Sequence, residues 1–499
     1  MLHLRGTPGN ALVVGLVEAH SRSDASSPGR SYKWFVLLVT TVGAFMTPLD
    51  SSIVSIALPS IASNLRMDFT MAIWVPAAYL LCLSVLLLSS GRFADIRGRR
   101  QPFILGFALF TIASAFCALS QTGPELILFR VIQGISAALI SSTSPAIVTD
   151  VFPSNERGKA LGINTMAVYT GLSVGPALGG FIVQSLSWHW IFLINLPIGI
   201  FVVTLSLLRL RESASLDRKE RFDPMGAGAF ILGLASLLLA LTLGPVYGWT
   251  SFVILAFFLV SGFAFVLFVV VEERIGKGAM LDISLFLHNQ LFAAANLSAL
   301  LNYTSFFGVT FLMAFYLQRV LGYEPAKAGL FLLSMPLAMA LLSPVSGWLS
   351  DRLGSRLLSS AGMTLICLGL FMFSTLRVDS SGLDVVIRLL VLGVGMGIFS
   401  SPNTSAVMGS VEKSRLSVAA GTLGTMRFMG QSMSLALMGA VAATAVPSEL
   451  LTQLITGFES GTGMVTAEAF VEGIRRAFYV SGFIAALGIL TSLVRGKGK

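Results

Sequence analysis

Fourteen stretches of this chain are apolar over lengths that span a bilayer. They fall near 34–59, 71–91, 102–120, 126–149, 160–184, 188–208, 225–244, 251–272, 290–318, 326–349, 358–376, 384–407, 415–444 and 474–494. About 20 apolar residues, rising 1.5 Å each, cross the hydrocarbon core as a helix. The expected fold is therefore an all-α membrane protein. The charged fraction is 11% and the hydrophobic fraction 55%, far from the roughly 25% charge of soluble domains. The net charge of +9 does not indicate nucleic acid, because the basic residues sit in short loops between the apolar runs.

Those loops set an orientation. Every second loop is basic, with Arg92, Arg97, Arg99 and Arg100 after the second run and Arg352 and Arg356 after the tenth. The alternate loops hold only Arg66, Arg319, Lys327 and Arg377. Positive loops stay in the cytosol, so both termini are expected there, in the plasma membrane, which requires an even number of spans. Residues 1–33 read as a cytosolic tail, 495–499 as a second, and 445–473 as a solvated outer connector carrying Glu449, Glu459, Glu468 and Glu472.

The chain also repeats. Gly91, Asp95 and Gly98 follow the second run, and Gly347, Asp351 and Gly354 follow the tenth at the same spacing. Arg130 opens the fourth run as Arg388 opens the twelfth. The reading is two homologous six-helix bundles, 34–208 and 290–494, joined by a linker, 209–289, that holds two extra spans. Such repeats imply a pseudo-twofold axis along the membrane normal and a cavity between the halves.

Asp50 lies about 16 residues, or roughly 24 Å, into the first run. A carboxylate at lipid depth costs about 2.5–3.5 kcal/mol even on the mildest scales, so an intramembrane acid is a functional candidate, here a proton carrier. Arg130 falls at a similar depth and could meet Asp50, with Gln133 one turn further along. Arg427 is a third buried charge, mid-way along the thirteenth run. The spans hold more arginines than acids, which favours neutral, monocationic or amphiphilic ligands over dications. Tyr169, Asn302, Tyr303, Phe306, Met426 and Gln431 are, with Gln133 and Arg427, the candidate cavity residues.

Four motifs in order give the chain a family likeness. Residues 49–59, 91–100, Arg130-Val-Ile-Gln133-Gly134 and Gly171-x3-Gly175-Pro176-x2-Gly179-Gly180 resemble the major facilitator superfamily, in its fourteen-helix drug:proton antiporter branch. The resemblance implies proton coupling at Asp50 and Arg130. It implies a cytosolic latch involving Gly91, Asp95, Gly98, Arg99, Arg100, Asp351 and Arg352, with Asp95 near Ser414 and Asp351 near Asn155. Gly171, Gly175 and Gly179 share a helical face that admits close packing, and Pro176 permits a bend. With Gly180 they read as a hinge, and the resemblance makes the tenth helix their partner.

Enzyme chemistry finds no residues. There is no phosphate-binding loop, no His or Cys cluster and no paired catalytic carboxylates. Cys82, Cys117 and Cys367 each sit in an apolar run and read as small hydrophobes. No cofactor or metal is expected, and the partners are protons, an amphiphilic small molecule and the bilayer, with a monomer as the working unit. The function read from the sequence is proton-coupled efflux of hydrophobic compounds by alternating access. Export of an endogenous lipid, siderophore or metabolite is the alternative, and proton-coupled uptake a more distant one.

Overall fold

The computed structural model describes residues 30–212, 223–276, 283–412, 416–444 and 463–494. Fourteen long helices run through them. The first bundle comprises α1 (Arg30–Asn64), α2 (Phe69–Arg97), α3 (Arg100–Leu119), α4 (Gly123–Val151), α5 (Ser154–Ser185) and α6 (Trp190–Arg209). Two further helices follow, α7 (Pro224–Tyr247) and α8 (Phe252–Ile275). The second bundle comprises α9 (Gln290–Val320), α10 (Pro325–Leu353), α11 (Ser355–Phe373), α12 (Gly382–Gly409), α13 (Leu416–Thr444) and α14 (Gly463–Leu493). We call the side bearing the α2–α3 turn the basic face and the opposite side the distal face.

Local chemistry starts and stops these helices. Asp68, Thr122, Ser251 and Ser381 each accept a backbone N–H from the first turn, which satisfies a donor that would otherwise be orphaned. The repeated Gly98 and Gly354 end α2 and α10 with φ of +98° and +84°. That backbone shape is open to glycine and strained for other residues, which explains why both turns carry glycine at this position.

Among the described residues thirteen helices are long and apolar enough to cross a membrane. The fourteenth, α13, is equally long but carries Arg427, Gln431 and several small polar residues. Its neighbours explain the composition. It packs against α2, α9, α14 and α7, and Thr422, Thr425, Gln431, Ser432 and Ser434 are buried.

α14 starts at Gly463, eleven residues before the apolar run at 474. Glu472 pairs with Arg475 at 3.1 Å and Arg476 at 3.0 Å. Ahead of these pairs Ala467, Phe470 and Val471 are buried and Phe470 packs on Phe69, so tertiary packing holds the helix there. Residues 463–473 are therefore helix rather than connector, while 445–462 lie outside the described residues. α9 is interrupted too, with a break at Phe307 and a π-helical turn at Tyr316–Val320, a feature that re-aims side chains.

The halves meet along two seams, α5 against α10 and α2 against α13. The inserted pair treats these seams differently. α7 packs on α2 and α13, with Phe230, Leu234 and Leu238 against Val85, Met429 and Met433.

Candidate functional site

The first bundle contains a buried ion pair. Asp50 of α1 and Arg130 of α4 form a salt bridge, and neither side chain reaches the surface. Arg130 Nη1 also donates to Gln133 Oε1 at 2.8 Å, and its Nε donates to the Val75 carbonyl of α2 at 3.2 Å. Gln133 Nε2 donates to Ser114 Oγ at 2.7 Å and to Asp50 Oδ1 at 3.4 Å. Asn195 Nδ2 of α6 donates to Asp50 Oδ1 at 3.0 Å. The carboxylate thus accepts from α4 and α6 at once. Burying two charges is repaid only when geometry and extra hydrogen bonds satisfy both. The network satisfies the carboxylate and two nitrogens of Arg130, while Arg130 Nη2 is buried without a partner among the described residues.

Tyr79 of α2 links the ion pair to the centre of the molecule. Its ring centroid lies 4.3 Å from the Arg130 guanidinium carbon, a cation–π contact. Its hydroxyl donates to the Thr47 carbonyl at 3.0 Å. Tyr79 and Thr47 also line a small cavity of about 30 Å³ between the halves, room for about one water. The first bundle adds Ser51, Leu80 and Leu172 to its wall, and α13 adds Arg427, Phe428 and Gln431. The Tyr303 ring lies 5.2 Å from the Arg427 guanidinium carbon, a cation–π contact. The Arg427 Nε is buried without a partner among the described residues.

The cavity is closed on the distal side. Gln318 Nε2 donates to the Ile56 carbonyl at 2.9 Å, and Arg319 donates to the Pro59 carbonyl at 2.8 Å. Gln184 Nε2 donates to Glu324 at 2.7 Å. Phe69 packs against Phe311, Phe315 and Phe470 at centroid distances of 5.7–6.0 Å. At mid-depth the Tyr169 hydroxyl meets Ser400 Oγ at 2.7 Å.

The glycines of α5 divide between two neighbours. A Cβ on Gly171, Gly175 or Gly179 would strike α1, at the Phe45 carbonyl, Ser52 Oγ and Ile53 respectively. Ser52 Oγ donates to the Gly171 carbonyl at 3.2 Å. The stripe therefore packs on α1, a correction to the expectation of α10. Residues 176 and 180 lie on the adjacent face and do meet α10. A Cβ on Gly180 would come within 2.3 Å of the Pro325 carbonyl, and one on Gly329 within 2.3 Å of the Pro176 carbonyl. Two Pro-Ala-x-x-Gly segments thus cross reciprocally.

Other candidates lie elsewhere. Gln133 belongs to the ion-pair network. Asn302 is fully buried with its amide nitrogen on the Met363 sulfur of α11 at 3.1 Å, so it faces its own bundle. Met426 packs in the α9–α12 cluster with Phe292 and Ala406, and Phe306 packs against Tyr303 at 5.7 Å. Arg99 donates to the Ala146 carbonyl at 3.0 Å and pairs with Asp150 at 2.5 Å. Arg100 donates from its guanidinium to the Leu207 carbonyl at 2.9 Å and from its backbone to Glu212 at 3.1 Å. Both arginines tie α3 to its own bundle. A Cβ on Gly98 would collide with Glu212, whereas Gly91 makes only ordinary contact with Ser142. Arg352 is exposed over the Trp348 ring at 4.1 Å. The side chains of Asp95 and Asp351, with Asn155 and Ser414, lie outside the described residues.

Three members of the network escaped the sequence reading. Asn195 was the detectable one, a side-chain amide inside the sixth apolar run. Ser114 and Tyr79 carry no signal that separates them from ordinary polar residues in helices.

A polytopic helical protein with two repeated bundles, buried charge and a central cavity is a membrane transporter in its architecture. The profile of the Major Facilitator Superfamily matches residues 40–435, and the chain belongs to that family. The multidrug resistance protein Stp of Mycobacterium tuberculosis (strain CDC 1551 / Oshkosh) is 33% identical over 450 residues, covering 90% of this chain and 83% of Stp. The riboflavin transporter RibZ of Clostridioides difficile (strain 630) is 30% identical, covering 92% and 97%. A bacterial homolog of the human lysosomal transporter Spinster, solved inward-facing and occupied, superimposes with a TM-score of 0.70 at 16% identity, over 94% of this chain and 98% of that one. That last likeness is one of fold.

Proposed function

We propose that this transporter is a proton-driven exporter of amphiphilic small molecules, in the fourteen-helix drug:proton branch of its family. It works as a monomer in the plasma membrane, with both termini in the cytosol. The observation that carries the reading is the Asp50–Arg130 pair, buried beside the central cavity with Tyr79 shared between them. A proton arriving on Asp50 removes the charge that holds Arg130, and α1 loses its strongest tie to α4. The first bundle then changes its fit against the second, and the distal seam of Gly180 and Gly329 yields. Release of the proton on the other side resets the pair. No phosphate-binding loop occurs, so the energy is drawn from an ion gradient. One charge crossing 100 mV supplies about 2.3 kcal/mol, enough for roughly fortyfold accumulation at one proton per cycle. The named function of Stp supports export of foreign compounds.

The RibZ likeness, which spans nearly the whole of that protein, supports a second reading in which the cargo is a metabolite. Uptake by symport is the remaining rival. Proteoliposomes with an imposed pH gradient decide the direction of coupling. Antiport predicts that cargo moves against the proton flow, and that reversing the gradient reverses cargo movement. Cargo that follows the protons would replace export with symport.

A further inference from the structure

The wall of the central cavity carries charge of one sign only. Asp50 is spent on Arg130, Gln133 and Asn195, and its side chain is sealed from the cavity. Arg427 is the charged residue that lines it. The groups that face Arg427 are the Tyr303 ring, 5.2 Å from its guanidinium carbon, and the Tyr169 phenol, whose hydroxyl is paired with Ser400; neither is a counter-ion to Arg427. Its Nε is buried and unpartnered among the described residues, so a donor of a planar fork is left without an acceptor. The rest of the wall is apolar on the side of Leu80, Leu83, Val168, Leu172 and Phe428. In this closed form the cavity has room for about one water, so cargo enters only as the halves part. A buried, under-coordinated guanidinium facing an apolar wall then suits a ligand with an anionic oxygen at one end and a flat apolar body at the other.

We propose that Arg427 is the specificity-determining residue of this cavity and that the cargo is an amphiphilic organic anion bearing a carboxylate, phenolate or enolate, with lipophilic cations disfavoured. The inference rests on the reading of the cavity as the cargo site. It also sharpens the energetics of that reading, because exchanging a monoanion for a proton moves two charges in the sense that an inside-negative potential drives.

The test is equilibrium binding by fluorescence anisotropy, with purified full-length protein in nanodiscs and no gradient. The probes are fluorescein and rhodamine 6G, which share a xanthene frame and carry opposite charge. The native protein is expected to bind fluorescein at least about tenfold more tightly than rhodamine 6G, a difference of about 1.4 kcal/mol. Arg427→Lys keeps that preference in weakened form, Arg427→Gln brings the ratio close to one, and Arg427→Glu inverts it. Size-exclusion profiles show which variants are folded, and Arg427→Gln together with Arg427→Lys suffices if Arg427→Glu is not. Equal or tighter binding of rhodamine 6G by the native protein overturns the proposal. So does a ratio that Arg427→Gln leaves unchanged, and so does the absence of saturable binding by either dye. Because no gradient is present, failure of proton coupling leaves these ratios intact, and a failed dye preference leaves gradient-driven export open.

Discussion

Arg130 and Arg388 are counterparts in the two bundles, 258 positions apart, yet they do opposite things. Arg130 is buried with Asp50. Arg388 lies at the rim of α12, paired with Asp384 on its own helix at 2.9 Å and hydrogen-bonded to Met372 and Thr375 at the end of α11. The cause lies on the first helix of each bundle. The repeat offsets of 256 and 258 carry Asp50 onto Phe306 and Gly308 of α9, where no acid stands. With no acid there to meet it, Arg388 pairs with Asp384 on its own helix and staples two helix ends. The second bundle places its interior charge at Arg427 instead, facing the cavity and with no carboxylate paired to it among the described residues. Duplication supplied the frame, and single positions on α1 and α13 divided the tasks.

That contrast breaks most sharply by truncation. Arg130→Ala leaves Asp50 charged and unpaired in the interior and is expected to cost about 3–5 kcal/mol, enough to compromise folding in detergent. Denaturant or thermal unfolding measures the loss. A cost near that of a surface substitution would show that the pair is solvated and would remove the contrast. Asn195→Ala removes one charge-assisted donor and is expected to cost about 1.5–3 kcal/mol in the same assay, with Ser114→Ala below it.

The α5 glycines sharpen the comparison in a different way. Gly175→Ala places a methyl against Ser52 within the first bundle, and overpacking of that kind costs about 1–3 kcal/mol of stability. Gly180→Ala places it against α10 across the seam. The methyl meets the Pro325 backbone, and the variant is expected to cost about 1–3 kcal/mol and also to open the distal face, read as faster thiol labelling of Leu321→Cys in a cysteine-free background. Equal labelling rates would mean that this crossing does not hold the distal side shut.

At the small end stands Arg388→Ala. The Arg388 side chain is 11% exposed and that of Asp384 37%, so a loss of about 1 kcal/mol, the upper end for a partly solvated pair, is expected. Smaller still is His189, outside the spans between α5 and α6 and stacked on Trp188 at 3.8 Å. Partial burial lowers its pKa from the ordinary histidine value. A lowered folded-state pKa means that this residue's contribution is present above the unfolded value of about 6.5 and is lost as pH falls. His189→Phe is expected to flatten the thermal midpoint slightly between pH 7 and pH 5 relative to the parent.

The legible part of the molecule was the part written in apolar length and repeated spacing. Apolar runs located the helices because lipid leaves a backbone no other partner. They missed the first turns of α14, where Ala467, Phe470 and Val471 are buried but interleaved with polar residues. Depth along a helix brought Asp50, Arg130 and Gln133 to one level, and the structure joins them. Depth says nothing of azimuth, which is why Asn302 and Met426 were placed at the cavity and instead face their own bundle. The α5 glycines show the same limit. Spacing identifies a face for close approach, but which helix approaches depends on the packing of α1 and α10 around it.

The central claim is that Asp50 carries the proton that drives cargo movement. The direct measurement is proton flux reported by a pH-sensitive dye inside proteoliposomes when a cargo gradient is imposed, in the native protein, in Asp50→Asn and in the neutralised pair Asp50→Asn with Arg130→Gln. The account predicts proton movement opposite to cargo in the native protein and none in either variant. Because Asp50→Asn leaves Arg130 charged and unpaired, the neutralised pair supplies the variant whose folding, checked by size exclusion, is kept. Full cargo-driven proton flux through folded Asp50→Asn would contradict it.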